Sequence, residues 1–346
     1  MASELNLITD VAGLRVGNAH DERVASGVTV VVVDGENVAS SVTRGGAPGT
    51  RDTTLLEPEM TAQGIDAVVL SGGSLFGLDA AGGVVNFLRD VGRGLRIGPA
   101  NIPIAVQAIT FDLLNGGDKS WGGKPPYFEL GWRAAANAVD GPFALGTIGG
   151  GYGVTTATLK GGLGSASQRT ASGFTVGAIV VVNAVGTATI GDGPHFWSAA
   201  VEVGAEYGGL GLPERIAPGD LALRIKGGQP PPPSTTIALV ATDARLSKAQ
   251  AKRLAIMGDD GIARAVRPAH APMDGDTVFA VATQRLALDP AFELQQLTEL
   301  GMAAGDCLAR AIARGVFEAR SLPFAGAVPS WRDRFCDGSG LGRDGT

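Results

Sequence analysis

The chain has 346 residues, 45% of them hydrophobic, and a formal net charge of −6. Its length and apolar content are sufficient for one large or two ordinary globular domains. Because acidic and basic residues are mixed along the sequence, no concentrated basic face is predicted, which argues against nucleic acid or an anionic membrane as a partner. The two cysteines and three histidines show no metal-ligand or disulfide spacing. We therefore expect no metal, no other cofactor and a reducing, cytoplasmic location, and find neither a signal-peptide pattern nor a membrane-length apolar run.

Near the N-terminus, residues 13–17 and 28–33 have the pattern of strands, and the second is apolar on both faces. A strand of that kind is typically buried between two layers. The loop that follows is shaped by glycines and a proline and carries Arg44, Arg51 and Asp52. A structural ion pair and a contact to substrate both account for these charges.

A strand, a glycine loop and a helix are predicted in succession between residues 66 and 90, an arrangement that can surround an anion with backbone N–H groups. The dinucleotide fingerprint fails here because Ser74 stands where it needs glycine, and the hydrolase elbow fails at Phe76. The loop remains a candidate lining of a substrate pocket or oxyanion site, and the residues concerned are Gly72, Gly73, Ser74 and Phe76.

Two polar residues occur in apolar surroundings in the middle of the chain. Lys160 ends an uncharged run of glycines, threonines and small residues, where its amine would lose solvent, although a solvated lysine is the commoner case. The predicted strand 175–183 ends in Asn183, a residue that is infrequent in strands but can donate from its amide.

Four consecutive prolines at positions 230–233 favour an extended, exposed polyproline segment. An apolar run typical of a buried strand follows directly and opens with Thr235. A hydroxyl residue at the start of a core strand, after an unpacked linker, is suited to become a free N-terminal nucleophile, so we predict a cut just before Thr235. An inter-element linker followed by an ordinary strand is the alternative interpretation.

Asp274 and Asp276 bracket a glycine just before a further predicted strand, 278–283. The pair is compatible with a metal site, a turn, or a site that tunes a neighbouring amine. Metal is the weakest of the three, because no histidine or cysteine spacing accompanies the carboxylates.

Two long helices are predicted in the C-terminal part, one capped by Ser247 and ended by Gly258, the other capped by Asp289. Residues from 324 onwards have an irregular pattern, and the glycine-rich end from Asp337 is expected to be mobile. No repeat or domain boundary is evident, so residues 1–346 are interpreted as one domain. The grouping of elements predicts stacked sheets covered by helices, an α+β fold, and is also compatible with a doubly wound parallel sheet.

Seven motifs occur in order over nearly the whole chain, at residues 7–17, 44–49, 70–74, 115–118, 182–186, 235–244 and 274–280. Together they resemble the L-aminopeptidase/D-esterase (DmpA-like) family, which includes β-aminopeptidases and nylon-oligomer hydrolases. The resemblance implies a four-layer αββα sandwich similar to N-terminal-nucleophile hydrolases. It also implies a precursor that cuts itself into fragments 1–234 and 235–346, which stay associated and form a homo-oligomer of four or more such pairs.

In the resemblance, Thr235 matches the nucleophile, which first attacks the Ser234 carbonyl and is then freed by water. The α-amine of the new N-terminus, with an ordinary pKa near ~7.7–8, suits the role of base. Two residues depart from the family pattern: Ser234 stands where asparagine is frequent before the cut, and Phe76 where the nylon-oligomer hydrolases carry tyrosine.

Four further positions match residues that assist the nucleophile. Lys160 would share the proton relay or orient Thr235, and Asn183 would stabilise the oxyanion. Asp274 and Asp276 would hold the ammonium group of Thr235 or the lysine.

We expect a self-processing amidohydrolase without cofactor that cleaves short peptides or peptide-like amides from a free amino end. β-Peptides, amino-acid amides and 6-aminohexanoate oligomers are the candidate substrates. An acyltransferase of the ornithine-acetyltransferase type and a small-molecule binding protein that never matures are the alternatives.

Overall fold

The structure is a computed structural model that describes residues 4–227 and 232–336. The strands in these ranges are β1 (Leu14–Asp21), β2 (Ser26–Val33), β3 (Val38–Thr43), β4 (Thr50–Arg51), β5 (Ala67–Ser71), β6 (Leu95–Ile97), β7 (Ala100–Ile102), β8 (Ala105–Ile109), β9 (Leu163–Arg169), β10 (Thr175–Asn183), β11 (Thr235–Ala244) and β12 (Thr277–Leu286). The helices are α1 (Ala80–Asp90), α2 (Tyr127–Ala136), α3 (Lys248–Ala265), α4 (Glu293–Phe317) and α5 (Trp331–Phe335).

The strands form two five-stranded mixed sheets and one short hairpin. The first sheet has the order β1-β2-β5-β8-β4 and the second has the order β3-β12-β11-β10-β9. Neighbouring strands are antiparallel except for β5 with β8 and β11 with β12. The strand that begins at Thr235 is therefore central in the second sheet, where it is covered on both faces.

Alternation along β11 shows how the layers are held together. Ile237 and Leu239 pack into the cluster between the two sheets, with Val31 and Leu70 of the first sheet. Val240 points to the opposite face and packs in the cluster beneath α3 and α4. Helices α1 and α2 cover the outer face of the first sheet in the same way. The result is a four-layer αββα sandwich, which confirms the predicted α+β class and excludes a doubly wound parallel sheet.

Both long helices differ from their predicted bounds. Helix α3 continues past Gly258 to Ala265, because Gly258 lies where the helix packs closely on Val240, and a small residue is needed there. Helix α4 begins at Glu293 and not directly after the predicted cap Asp289, since the Asp289 carboxylate accepts the Ala291 N–H in a preceding turn.

The region after residue 323 was predicted to be irregular, yet α5 lies within it. Ser330 caps this helix through the Asp333 N–H, and the Trp331 ring stacks on Phe196 at a centroid distance of 6.0 Å. The expected mobile end from Asp337 lies outside the described residues. Within the described part of the chain, no helix has the length and apolarity needed to cross a membrane.

Candidate active site

Thr235 is the first residue of β11 and is buried, with 3% of its surface exposed. In the register of β10 with β11, its Cα lies opposite that of Asn183, the last residue of β10. Strand β12 lies on the other side of β11. The predicted nucleophile and the predicted oxyanion donor are thus direct neighbours across two central strands.

The Ser234–Thr235 peptide bond is held in a buried turn. Ser234 is fully buried although Pro233, directly before it, is exposed. The Ser234 carbonyl accepts the Thr235 hydroxyl and, at 2.9 Å, the N–H of Gly275. A Cβ on Gly275 would lie 2.9 Å from Thr235 Oγ1, so glycine permits this close approach. The first two prolines of the tract lie outside the described residues, and the bond predicted to be cut is itself enclosed.

Asp274 ties the loop before β12 to the end of β10. Its Oδ1 accepts the Val185 N–H at 3.3 Å and its Oδ2 accepts the Ala271 N–H at 3.0 Å. Burial, and then the nearby Asp276 carboxylate, raise the pKa of Asp274 to about 7. The side chain therefore fixes backbone on both sides of Thr235.

Asp276 holds the start of β11. Its Oδ1 accepts the Thr236 N–H at 2.7 Å, and its Oδ2 accepts the backbone N–H of His270 at 3.1 Å and contacts His270 Nδ1 at 2.9 Å. The resemblance implied that this pair of carboxylates holds an ammonium group. Their hydrogen bonds in the described structure go to backbone N–H groups and to His270.

Lys160 is buried, with 1% of its surface exposed, as its uncharged surroundings in the sequence indicated. Its Nζ donates to the carbonyls of Gly151 at 3.1 Å and Gly161 at 2.9 Å. Burial lowers its pKa to about 7; Asp112 opposes the shift and Lys226 adds to it. An amine with this pKa is available as a proton acceptor near neutral pH.

The Asn183 amide is held at both of its ends. Its Oδ1 accepts the Thr155 N–H at 3.2 Å and Lys226 Nζ at 2.8 Å, while its Nδ2 donates to the Phe111 carbonyl at 3.1 Å. Burial lowers the pKa of Lys226 to about 7, against the attraction of Asp274. The described contacts use one of the two Nδ2 hydrogens, which leaves the other for an oxyanion.

A cavity of about 390 Å³ opens beside these groups. Lys160, Asn183 and Lys226 line it, and so do Pro232 and Pro233 of the proline tract. Thr235 is not among the lining residues. In the uncut chain, the segment that precedes the nucleophile therefore forms part of the cavity wall.

The glycine loop that was expected to line this pocket lies elsewhere. The N–H groups of Gly72, Gly73 and Ser74 all have acceptors in the protein at 2.8–2.9 Å, so they are not free for an oxyanion. Phe76 is half-exposed and packs edge-on against Trp121, at a centroid distance of 5.6 Å. The four residues do not line the cavity; Gly73 approaches it through its hydrogen bond to a cavity carboxylate.

That carboxylate belongs to Asp112, which the sequence reasoning missed together with Lys226. Asp112 accepts Ser26 Oγ at 2.6 Å and the Gly73 N–H at 2.8 Å, and burial raises its pKa. The available signal was position: Asp112 follows the buried strand β8, and Lys226 lies just before the proline tract.

The charged segment from Arg44 to Asp52 forms ion pairs, as one of its two interpretations predicted. Arg44 Nε lies 3.6 Å from Asp259 Oδ2, and Arg51 pairs with Asp52 at 3.5 Å. Asp259 also lies 3.4 Å from His270 Nε2, and burial raises its pKa to about 6. His270 and Asp259, which the sequence analysis did not select, thereby connect Arg44 to Asp276, the carboxylate that holds the start of β11.

Known proteins resemble this chain over most of its length. A model of peptidase family S58 matches residues 6–327. An uncharacterized aminopeptidase of Mycobacterium tuberculosis is 42% identical over 351 aligned residues, covering 96% of this chain and 98% of the relative. A 6-aminohexanoate-oligomer endohydrolase of Paenarthrobacter ureafaciens is 28% identical and covers 81% of this chain and 75% of its own length.

A solved structure shows the same fold. The L-aminopeptidase D-Ala-esterase/amidase of Ochrobactrum anthropi, described as a variant of the Ntn-hydrolase fold, superposes with a TM-score of 0.68 at 23% identity. The superposition covers 96% of this chain and 93% of that protein. The chain therefore belongs to peptidase family S58 and is a hydrolase that acts on amide bonds.

Proposed function

We propose that this chain cuts its own Ser234–Thr235 bond and then uses Thr235 as an N-terminal nucleophile against amide bonds of short peptides or peptide-like amides. The observation that carries the proposal is the contact of the Thr235 hydroxyl with the Ser234 carbonyl inside a buried turn. An ordinary linker before a strand has no need to enclose that peptide bond.

Self-cleavage begins when Thr235 Oγ1 attacks the carbonyl carbon of Ser234. The carbonyl oxygen becomes an oxyanion, which the Gly275 N–H, 2.9 Å away in the uncut chain, is placed to stabilise. Collapse breaks the C–N bond, and the proton that left Oγ1 ends on the Thr235 nitrogen, which becomes a free amine. Water then hydrolyses the ester between Ser234 and Oγ1, leaving a carboxylate on fragment 1–234 and an amino terminus on fragment 235–346.

The same hydroxyl then attacks the substrate. The new α-amine, with an ordinary pKa near ~7.7–8, takes the Oγ1 proton and returns it to the leaving amine. The free Nδ2 hydrogen of Asn183 stabilises the oxyanion, and neutral Lys160 shares the proton relay. Asp276 holds the Thr236 N–H, so the nucleophile keeps a fixed backbone position. Water releases the acyl group and completes the cycle.

The cavity limits the substrate class. Its volume of about 390 Å³ is at the small end of the usual range for ligand pockets, which suits a short peptide or amide. Asp112 in its wall provides a carboxylate that a free amino end can approach. β-Peptides, amino-acid amides and 6-aminohexanoate oligomers meet these requirements, and the name of the Paenarthrobacter relative supports the last of them.

The assembly and location belong to the same proposal. The hairpin of β6 and β7 exposes Leu95, Ile97 and Ile102, an apolar patch suited to contact between copies of a homo-oligomer. Cys307 and Cys336 are free thiols, which suits a reducing cytoplasm. Light scattering of the purified protein measures the oligomeric state, and fractionation of cells measures the location.

The central experiment compares wild-type protein with Thr235→Ala. We expect two wild-type fragments, the smaller one beginning at Thr235 by N-terminal sequencing, and one intact, inactive Thr235→Ala chain. Intact mass and hydrolysis of aminoacyl p-nitroanilides supply the two readouts. If wild-type protein remains a single chain and hydrolyses amides, Thr235 is not an N-terminal nucleophile.

A matched control is Thr236→Ala. Thr236 is equally buried and is the second residue of the same strand, but its hydroxyl has no hydrogen-bond partner in the described structure. We expect this variant to cut itself and to hydrolyse amides, because the backbone N–H that Asp276 accepts is retained.

A further inference from the structure

Lys226 is a buried amine with an unusual set of partners. Its Nζ donates to Asn183 Oδ1 at 2.8 Å and to the Asn183 carbonyl at 3.1 Å, and its backbone N–H donates to the Val185 carbonyl at 3.0 Å. Within the described residues it forms no ion pair with a carboxylate. Three hydrogen bonds therefore anchor this one residue to the end of β10.

These contacts determine which way the Asn183 amide faces. The Thr155 N–H can only donate, and Lys226 Nζ donates to the neighbouring main-chain carbonyl as well, so the amide atom that both approach must be the oxygen. Nδ2 is then placed on the other side, where it donates once to the Phe111 carbonyl at 3.1 Å. If the amide turned over, it would present an acceptor to a developing oxyanion and would repel it.

We propose that Lys226 is a positioning residue that holds the Asn183 amide with its N–H groups towards the oxyanion. The inference rests on the proposed role of Asn183, and assigns to Lys226 an action through that side chain alone. Lys226 lies on the fragment that ends at the cut, nine residues before Thr235. Its anchoring bonds go to β10, so self-cleavage leaves them in place.

The test is a double-mutant cycle of wild-type protein, Lys226→Met, Asn183→Ala and the double variant, assayed on an aminoacyl p-nitroanilide that wild-type protein hydrolyses. Loss of an oxyanion donor costs about 10²–10³ in kcat, so we expect that loss for Asn183→Ala and a smaller one, about 10–100-fold, for Lys226→Met. KM should change less than about twofold, because the interaction acts in the transition state.

The double variant distinguishes positioning from a structural role. If Lys226 acts only through Asn183, the double variant should have the kcat of Asn183→Ala, with no further loss. Losses that multiply, a Lys226→Met effect on KM instead of kcat, or a Lys226→Met chain that stays uncut would each overturn the inference. Failure of the proposed nucleophile is detected separately, as an active Thr235→Ala chain.

Lys248→Met is the matched control. Lys248 is also buried, and its Nζ donates to the carbonyls of Leu55, Met60 and Ala62, but it does not line the cavity. We expect this variant to lose thermal stability and keep its kcat. If Lys248→Met lowers kcat as much as Lys226→Met does, loss of any buried lysine accounts for the effect and the positioning role fails.

Discussion

Acidic and basic side chains approach Thr235 from two directions. The loop before β12 carries two carboxyl groups, and the segments that contact the end of β10 carry two amines; these are called the β12 side and the β10 side. On the β12 side, the carboxylates of Asp274 and Asp276 accept hydrogen bonds from backbone N–H groups. On the β10 side, the amines of Lys160 and Lys226 donate to carbonyls and line the cavity. The two sides therefore use their charges differently.

From this difference we predict that the β12 side sets the geometry and that the β10 side takes part in the reaction. A carboxylate whose oxygens are occupied by backbone donors stabilises a loop, and its removal leaves buried N–H groups without partners. A buried amine with a pKa near 7 is costly to the fold but can accept a proton at neutral pH. We thus expect variants on the β12 side to lower stability and variants on the β10 side to lower kcat.

Lys160→Met should give the largest effect. It removes the amine and keeps the apolar stem, so we expect kcat to fall by about 10²–10⁴, the usual contribution of general acid–base catalysis. In wild-type protein, kcat should decrease as the pH falls through about 7, because Lys160 then becomes protonated. The measurement is kcat against pH, with the extent of self-cleavage followed on the same samples.

Stability provides the second half of this test. The pKa of Lys160 is lowered in the folded state. Between the ordinary lysine pKa and about pH 7, the unfolded chain therefore binds a proton that the folded chain does not. Wild-type protein loses stability as the pH falls through that window, and Lys160→Met should be at least as stable at pH 7. A variant that cuts itself and keeps wild-type kcat would show that Lys160 is only a structural residue.

Asp276→Ala should show the opposite of Lys160→Met: its main effect should be a loss of stability and not of kcat. It removes the acceptor of the Thr236 N–H and of the His270 N–H, and each buried donor left unsatisfied costs about 1–3 kcal/mol. Urea unfolding in the uncut Thr235→Ala background measures this loss on a single chain. Asp276→Asn keeps one oxygen acceptor and should lose less.

Equal stabilities of Asp276→Ala and Asp276→Asn would contradict the assignment of the β12 side to backbone support. A Lys160→Met chain less stable than Asp276→Ala in the same background would contradict the comparison as a whole.

The layers were predictable from the sequence because buried strands have a local signature. The apolar run 175–183 became β10 with the same bounds, and both faces of the run after Thr235 are buried in the structure. Asn183 and Lys160 were selected because a polar residue in an apolar or uncharged context stands out, and both are buried in the structure. Their burial follows from the same local pattern.

Other features depend on contacts between distant segments and have no local signal. Asp112 and Lys226 reach the cavity only because β8 and the segment before the proline tract meet there. From the sequence, the N–H groups of Gly72 and Gly73 were candidates to bind an anion. In the structure they donate to acceptors from distant segments. Helix α3 passes Gly258 because a close helix–sheet contact outweighs the tendency of glycine to end a helix.

The smallest expected effect concerns His270, which connects the β12 side to the ion pair of Arg44 with Asp259. The Asp276 hydrogen bond raises the pKa of His270; burial opposes the shift, and Asp259 and Asp274 add to it. The resulting stabilisation is complete below the ordinary histidine pKa of 6.5 and is lost as the pH rises through the higher folded-state pKa. Because the imidazole is partly exposed, we expect less than about 1 kcal/mol, the scale of solvent-screened pairs. Other buried groups, Lys160 among them, titrate in the same window in both chains, so the measurement is the difference in unfolding free energy between the Thr235→Ala chain and His270→Asn in that background. This difference should shrink as the pH rises above 6.5. A difference that stays constant with pH would mean that His270 adds no charge-dependent support to the β12 side.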